Sequence, residues 1–269
     1  MHSFGPFCVV LAIPLSCGGQ IAPSASAPTP SSAPAPVTSA PPVQNSTQLR
    51  AETIDSPRSQ SALGFVTPEL GEHLLTEPRS YRVRLSADAL GADIVALEIS
   101  LDAGRPRKLS SAEPFIALGE LLSEDSQLAP GSHWLFAAPV LASGLVPRSL
   151  SGGSRVAKAR RFFVGKSADE GAGPSGSVWL RKPEGSYNGS KSSGSLTFDA
   201  FVFSALGEPV EVPSTIALRS PKINGQLQLS SPFLLHEVPS GLYEVTVSAP
   251  RASPRTTLFT VNRELGGGS

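Results

Sequence analysis

The sequence predicts an all-β chain built from sandwich modules, and three observations predict it. Beyond about Ala62 the apolar residues recur with period two in short runs. Such alternation, rich in β-branched and aromatic residues, marks strands with one buried face. Turn formers (Pro, Gly, Ser and Asp) separate these runs every ten residues or so, the spacing expected of a sandwich. Finally, 26 of the 269 residues are proline, about twice ordinary usage, and a proline inside a helix removes a hydrogen bond and clashes with the preceding turn.

From the N-terminus, Phe7 to Leu15 form an apolar stretch of about nine residues within MHSFGPFCVVLAIPLSCGG. That is too short to span a bilayer, which takes about 20 residues, and it has the length of a signal-peptide core. From Gln20 to about Gln60 the chain is almost wholly Ser, Ala, Pro, Thr and Gln, with no aromatic residue. Such a composition buries too little apolar surface to offset the entropy of ordering, so it reads as a disordered tether with polyproline-II character.

A first set of strand-like runs follows: YRVRL at 81–85, IVALEISL at 94–101, WLFAAPV at 134–140 and RFFV at 161–164. A second set comprises VWL at 178–180, SLTFDAFVF at 195–203, TIALR at 215–219, QLQL at 226–229, LYEVTV at 242–247 and TLFTV at 257–261. Only Glu69 to Leu75 and Ala117 to Leu122 carry a brief helical pattern. The two sets also match in order. Ala96-Leu97, Leu109-Ser110-Ser111, Pro114-Phe115, Pro130 to Leu135 and Phe163-Val164 are answered by Ala217-Leu218, Leu229-Ser230-Ser231, Pro232-Phe233, Pro239 to Val245 and Phe259 to Val261. The reading is therefore a signal peptide at 1–16, a tether at 17–61, sandwiches at 62–166 and 178–263 joined by a Gly/Ser-rich linker at 167–177, and a tail at 264–269. One larger sandwich with chance similarities is the alternative.

Leu15-Ser16-Cys17-Gly18 resembles the lipobox of bacterial lipoproteins processed by signal peptidase II, with Pro14 and Leu15 standing where that family usually has Leu and a small residue. The resemblance implies acylation of Cys17, palmitate included, and anchoring to the cell envelope; Gly18 resembles the outer-membrane default of the family. The cysteines agree with it: cleavage before Cys17 discards Cys8 and leaves no other thiol. A plain secretory signal is the competing reading. Leu128 to Leu135, LAPGSHWL, looks like the strand-entering turn of bacterial immunoglobulin-like modules, which implies two such sandwich domains and, by itself, no particular function.

Chemistry-bearing patterns are sparse. The 22 basic and 22 acidic residues balance, so no long-range field draws the chain to nucleic acid, and no nucleic-acid partner is expected. His73, His133 and His236 have no metal-ligand spacing, the chain has no GxSxG or SxxK, and Gly165-Lys166-Ser167 lacks the loop that would make it a phosphate cradle. Catalytic residues, metal ligands and cofactors are accordingly none, and Cys17 is the one expected site, for lipidation. Asp88, Asp93 and Asp102 lie around a hairpin without the alternating acidic loop of a calcium site. Arg155, Lys158, Arg160, Arg161 and Lys166 form the one charge run. It reads as an edge strand guarded by cations, or as a patch for an anionic glycan, lipid head group or protein. Trp134 and Trp179 read as core aromatics. The functional expectation is a membrane-anchored, non-catalytic binding or scaffolding lipoprotein with a protein or glycan partner; the alternative is a secreted hydrolase or carbohydrate-binding accessory protein without a lipid.

Overall fold

The computed structural model describes residues 50–262 apart from short stretches, among them 166–174, 183–185 and 189–194. Cys17 lies outside the residues so described. Among the described residues the chain is all-β, with only two 3-10 turns, Pro78–Ser80 and Leu118–Leu121. No helix among them is long and apolar enough to cross a membrane.

Two sandwiches are built to one plan. In the first, β3 (Ala62–Thr67), β5 (Arg82–Ala89) and β8 (Phe115–Ala117) form one sheet in the order β3-β5-β8. The facing sheet has the order β4-β11-β9-β6-β7, from β4 (Glu72–Leu74), β6 (Ile94–Leu101), β7 (Arg107–Leu109), β9 (Gly131–Leu141) and β11 (Lys158–Val164). In the second, β12 (Gly176–Lys182), β14 (Leu196–Phe203) and β17 (Phe233–Leu235) form the first sheet. The facing layer is β13 (Ser186–Asn188), β19 (Ala252–Asn262), β18 (Gly241–Ala249), β15 (Ser214–Arg219) and β16 (Asn224–Leu229), and Gly176 and Ser177 of β12 pair in parallel with β19, so the two layers are continuous at that edge. In each module the initial strand splits: β4 runs parallel to β11 as β13 runs parallel to β19. Strand order, the parallel pairing and two facing sheets are those of an immunoglobulin-like sandwich. Each dipeptide matched in the sequence falls on the equivalent strand or its flank: Ala96-Leu97 and Ala217-Leu218 on the third strand, Pro114-Phe115 and Pro232-Phe233 at the start of the fifth.

The cores follow the alternation. Val83, Leu85, Leu97, Ile99, Leu135 and Phe162 fill the first sandwich, and Phe198, Ile216, Leu218, Phe233, Tyr243 and Phe259 the second. A third apolar cluster joins them, with Trp134, Phe136 and Ala159 from the first module meeting Trp179, Phe201 and Phe203 from the second. The outward face of β9 and β11 thus lies on the outward face of β12 and β14. On β18, Glu244, Thr246 and Ser248 take the places that Trp134, Phe136 and Ala138 hold on β9, and the equivalent outer face of the second module mixes these polar residues with exposed Leu242 and Leu258.

Four expectations change. Ordered strands begin at Ala51, inside the segment assigned to the tether: β1 (Ala51–Thr53) adds to β17, and β2 (Arg58–Ser59) pairs in parallel with β10 (Arg148–Ser149). Edge pairing uses backbone groups and needs little apolar surface, which is why composition did not mark it. Likewise β12 starts at Gly176, inside the assigned linker. Glu69 to Leu75 is not helical: Glu72–Leu74 is β4, held by β11. And β11, which carries the charge run, is no edge strand, since it lies between β4 and β9.

Candidate functional site

The charge run is spent on the fold. Arg155 is buried; its Nη1 donates to Asp199 and its guanidinium lies 3.8 Å over the Phe201 ring. Lys158 pairs with Glu208, Arg160 donates to the Phe65 carbonyl at 3.1 Å, and Arg161 donates to Ser132 Oγ at 2.8 Å. Lys166 lies outside the described residues.

At the junction of the modules, strands that are otherwise largely apolar carry buried charges: Glu98 in β6, Arg181 in β12 and Asp199 in β14. Arg181 and Asp199 are both 0% exposed. Arg181 donates through Nη1 to Glu98 Oε2 and through Nε to Asp199 Oδ2, both at 2.7 Å, and through Nη2 to the Gly144 carbonyl at 2.7 Å. With Arg155 on the other oxygen of Asp199, two cations and two anions alternate and the buried network is neutral. Burial alone would raise the Asp199 pKa, but the charges of Arg155 and Arg181 overcome it and hold the carboxyl below its ordinary value. Burial opposes the Arg181 cation too, and Asp199 and Glu98 more than compensate. None of these three residues was singled out from the sequence. The signal was there: in LTFDAFVF and IVALEISL the charge stands where both strand faces are apolar.

The histidines have partners of their own. His73 stacks on Phe163 with ring centroids 4.8 Å apart. His133 lies between two acceptors, Asp102 Oδ2 and the Ala129 carbonyl, each at 2.8 Å. Only the doubly protonated ring can donate to both. Burial disfavours that cation, yet the bonds to Asp102 and Ala129 outweigh it and Arg255 opposes them only weakly, so the pKa is raised. His236 bridges Ser195 Oγ at 3.1 Å and Glu52 Oε2 at 3.2 Å. This serine–histidine–glutamate order has the sequence of groups in a nucleophilic triad, but the Glu52 side chain is 65% exposed, too solvated to orient a base tightly. Its visible use is to fasten β1, and the His236 backbone N–H donates to the carbonyl of Arg50 just before that strand, 2.9 Å away. Among the described residues no group of three His, Cys, Asp or Glu could hold a metal ion.

Two open grooves flank Arg79 at one end of the first module. One, of about 510 Å³, is walled by Pro78, Leu128 and Val164 with Glu77 and Arg79 at its rim. The other, of about 430 Å³, has Arg79, Arg107 and Lys108 among its walls. Arg79 donates to the Ser126 carbonyl at 2.7 Å and lies over Gly119, where a Cβ would stand 2.9 Å from the Arg79 carbonyl oxygen and 3.2 Å from its Cβ.

No protein-family model and no curated protein sequence matches the chain. Among solved structures it is similar to the fibronectin(III)-like modules of Clostridium thermocellum CbhA, at 15% identity and TM-score 0.25, over 75% of this chain and 94% of that one. It is also similar to the N-terminal Ig1-2 module of the Drosophila receptor protein tyrosine phosphatase DLAR, at 10% identity and TM-score 0.26, over 76% and 100%. A third likeness is to Parabacteroides merdae β-glucuronidase, at 8% identity and TM-score 0.26, over 75% of this chain and 25% of that enzyme. At such TM-scores the fold assignment rests on the strand order itself.

Proposed function

We propose that this chain is a lipid-anchored protein of the bacterial cell envelope, acylated at Cys17, whose paired sandwiches form a rigid, non-catalytic head that binds or scaffolds a protein or glycan partner. The observation that carries the reading of the head is the neutral Glu98–Arg181–Asp199–Arg155 network buried beside the Trp134, Phe136 and Trp179 cluster. It commits the chain's interior charges and largest aromatics to fixing one module on the other. Face-to-face sandwiches hold the loops at their ends in constant relation, which lowers the ordering cost of a partner that touches both modules. The anchoring half of the proposal rests on the lipobox resemblance and on the absence of any cysteine after position 17. Two acyl chains or more would suffice for stable attachment, at about 0.8 kcal/mol per buried methylene.

The test is the mature N-terminus. Mass spectrometry of the protein from its native envelope should find Cys17 first and carrying a diacylglyceryl group, and Cys17→Ser should move the protein from the detergent phase of a Triton X-114 partition to the aqueous phase. An unmodified N-terminus elsewhere, with wild-type protein in the aqueous phase, would replace this reading with secretion.

A further inference from the structure

The two grooves beside Arg79 differ in chemistry while sharing a wall. The larger one is lined by apolar Pro78, Leu128 and Val164 together with Glu77, Arg79, Ser80 and Gln127. Among its described walls the smaller one has three cations, Arg79, Arg107 and Lys108, and one acid, Glu120, whose Oε1 accepts the Ala117 N–H at 3.2 Å. Arg79 is exposed, but its guanidinium is hydrogen-bonded to the chain. Its Nη1 is tied to the Ser126 carbonyl, and Gly119 permits the close approach of the Arg79 carbonyl and Cβ. Gly119 has no left-handed backbone to justify it, so the missing side chain is the reason for a glycine there.

We propose that this pair of grooves is a binding site for an anionic amphiphile, with its phosphate or carboxylate head against Arg107, Lys108 and Arg79 and its hydrocarbon body along Pro78, Leu128 and Val164. Charge complementarity selects the head, since arginine forks and a lysine ammonium meet such groups by charge-assisted hydrogen bonds. The apolar floor selects the body, at about 25 cal/mol per Å² covered. A cleft of this size falls within the few hundred Å³ usual for small ligands. An anionic glycan is the weaker occupant. Sugar rings are ordinarily held by stacking on aromatic side chains, and no aromatic residue is among the described walls of either groove. The site lies wholly on the first module and does not depend on acylation of Cys17.

The experiment uses the full chain and three probes, octyl phosphate, inorganic phosphate and octyl glucoside, followed by amide chemical shifts at Gly119 and Leu128 and by calorimetry. Octyl phosphate should bind at least tenfold more tightly than either of the others and shift both amides. The double substitution Arg107→Gln with Lys108→Gln should bring octyl phosphate down to the level of octyl glucoside, whereas Leu128→Asn should weaken both alkyl probes. Circular dichroism and thermal melting of each variant verify that the fold is intact. Equal affinity for octyl and inorganic phosphate, or octyl phosphate binding indifferent to the double substitution, would overturn the proposal. Displacement of octyl phosphate by polygalacturonate but not by anionic phospholipid vesicles would overturn it in favour of a glycan.

Discussion

His133 occupies in the first module the position that Tyr243 occupies in the second: each is the third residue of its strand, and each ring reaches the backbone carbonyl four residues upstream, Ala129 at 2.8 Å and Pro239 at 2.7 Å. A tyrosine that hydrogen-bonds back across the turn entering this strand is a hallmark of the sandwich fold. Replacing it with histidine keeps the donor and adds a second one, which Asp102 takes.

The substitution makes the first module sensitive to pH. The folded His133 pKa is raised above its ordinary value of 6.5, so the folded chain binds the proton more tightly than the unfolded chain. Its contribution is complete below about pH 6.5 and is lost as pH rises through the folded pKa. The ring resonances of His133 should titrate above pH 6.5. His133→Gln should flatten the fall in unfolding free energy above about pH 6.5; an unchanged slope in that variant would remove His133 as its source.

The network between the modules should respond asymmetrically to substitution. Asp199→Asn alone leaves Arg155 and Arg181 facing one carboxylate in place of two, and removal of one partner from a buried set typically costs about 3–5 kcal/mol. Replacing Glu98, Arg181, Asp199 and Arg155 together by apolar residues of similar volume should cost much less. Urea unfolding of the two variants measures both. Because Asp199 is held below its ordinary pKa, its stabilisation is present above about pH 4 and lost as pH falls through the folded value, so the acid side of the stability profile should flatten in Asp199→Asn.

Gly207 joins the modules through its backbone. Its carbonyl accepts the Ala159 N–H at 2.9 Å, its φ is +81°, and a Cβ there would stand 1.9 Å from the Ala159 carbonyl oxygen. Gly207→Ala therefore meets both backbone strain and a clash that no side-chain rotation can relieve. We expect it to cost at least about 2 kcal/mol, read as a lower midpoint in chemical unfolding. The same substitution at Gly71, which also has positive φ but nothing within 4 Å, should cost less.

Both tryptophans of the chain lie in the cluster that joins the modules, so their fluorescence reports separation and far-ultraviolet circular dichroism reports strand loss. With an aromatic cluster and four buried charges shared, the two signals should trace one coincident unfolding transition. A fluorescence change well before strand loss would mean that the modules part and then unfold independently.

What could be read from the sequence followed from periodicity. IVALEISL and LTFDAFVF are strands, and Leu109 and Leu229 of the matched runs end equivalent strands, because alternation and turn chemistry are local properties. Trp134 and Trp179 are buried as expected, although in the contact between sandwiches rather than inside either one. What could not be read was relational. Nothing within RVAKARRFF distinguishes Arg155, which is buried on Asp199, from Lys158, which pairs at the surface, since the partners lie 44 and 50 residues away. The grooves beside Arg79 were equally hidden, as their walls come from loops and strands spread from Glu77 to Val164.

The route of the chain sets an order of assembly. Glu52 and its partner His236 are 184 residues apart, so β1 is among the first described segments to be synthesised, while the strand it pairs with is among the last. At roughly 5–20 residues per second, about 10–40 s separate the two on the ribosome. During that interval the first sandwich can close on its own, but the backbone groups of β1 have no native partner. Completion of the fold is therefore deferred to the arrival of the second module. A chain truncated before Phe233 would retain an orphaned strand at its leading end, open to recruitment by the edge of another molecule.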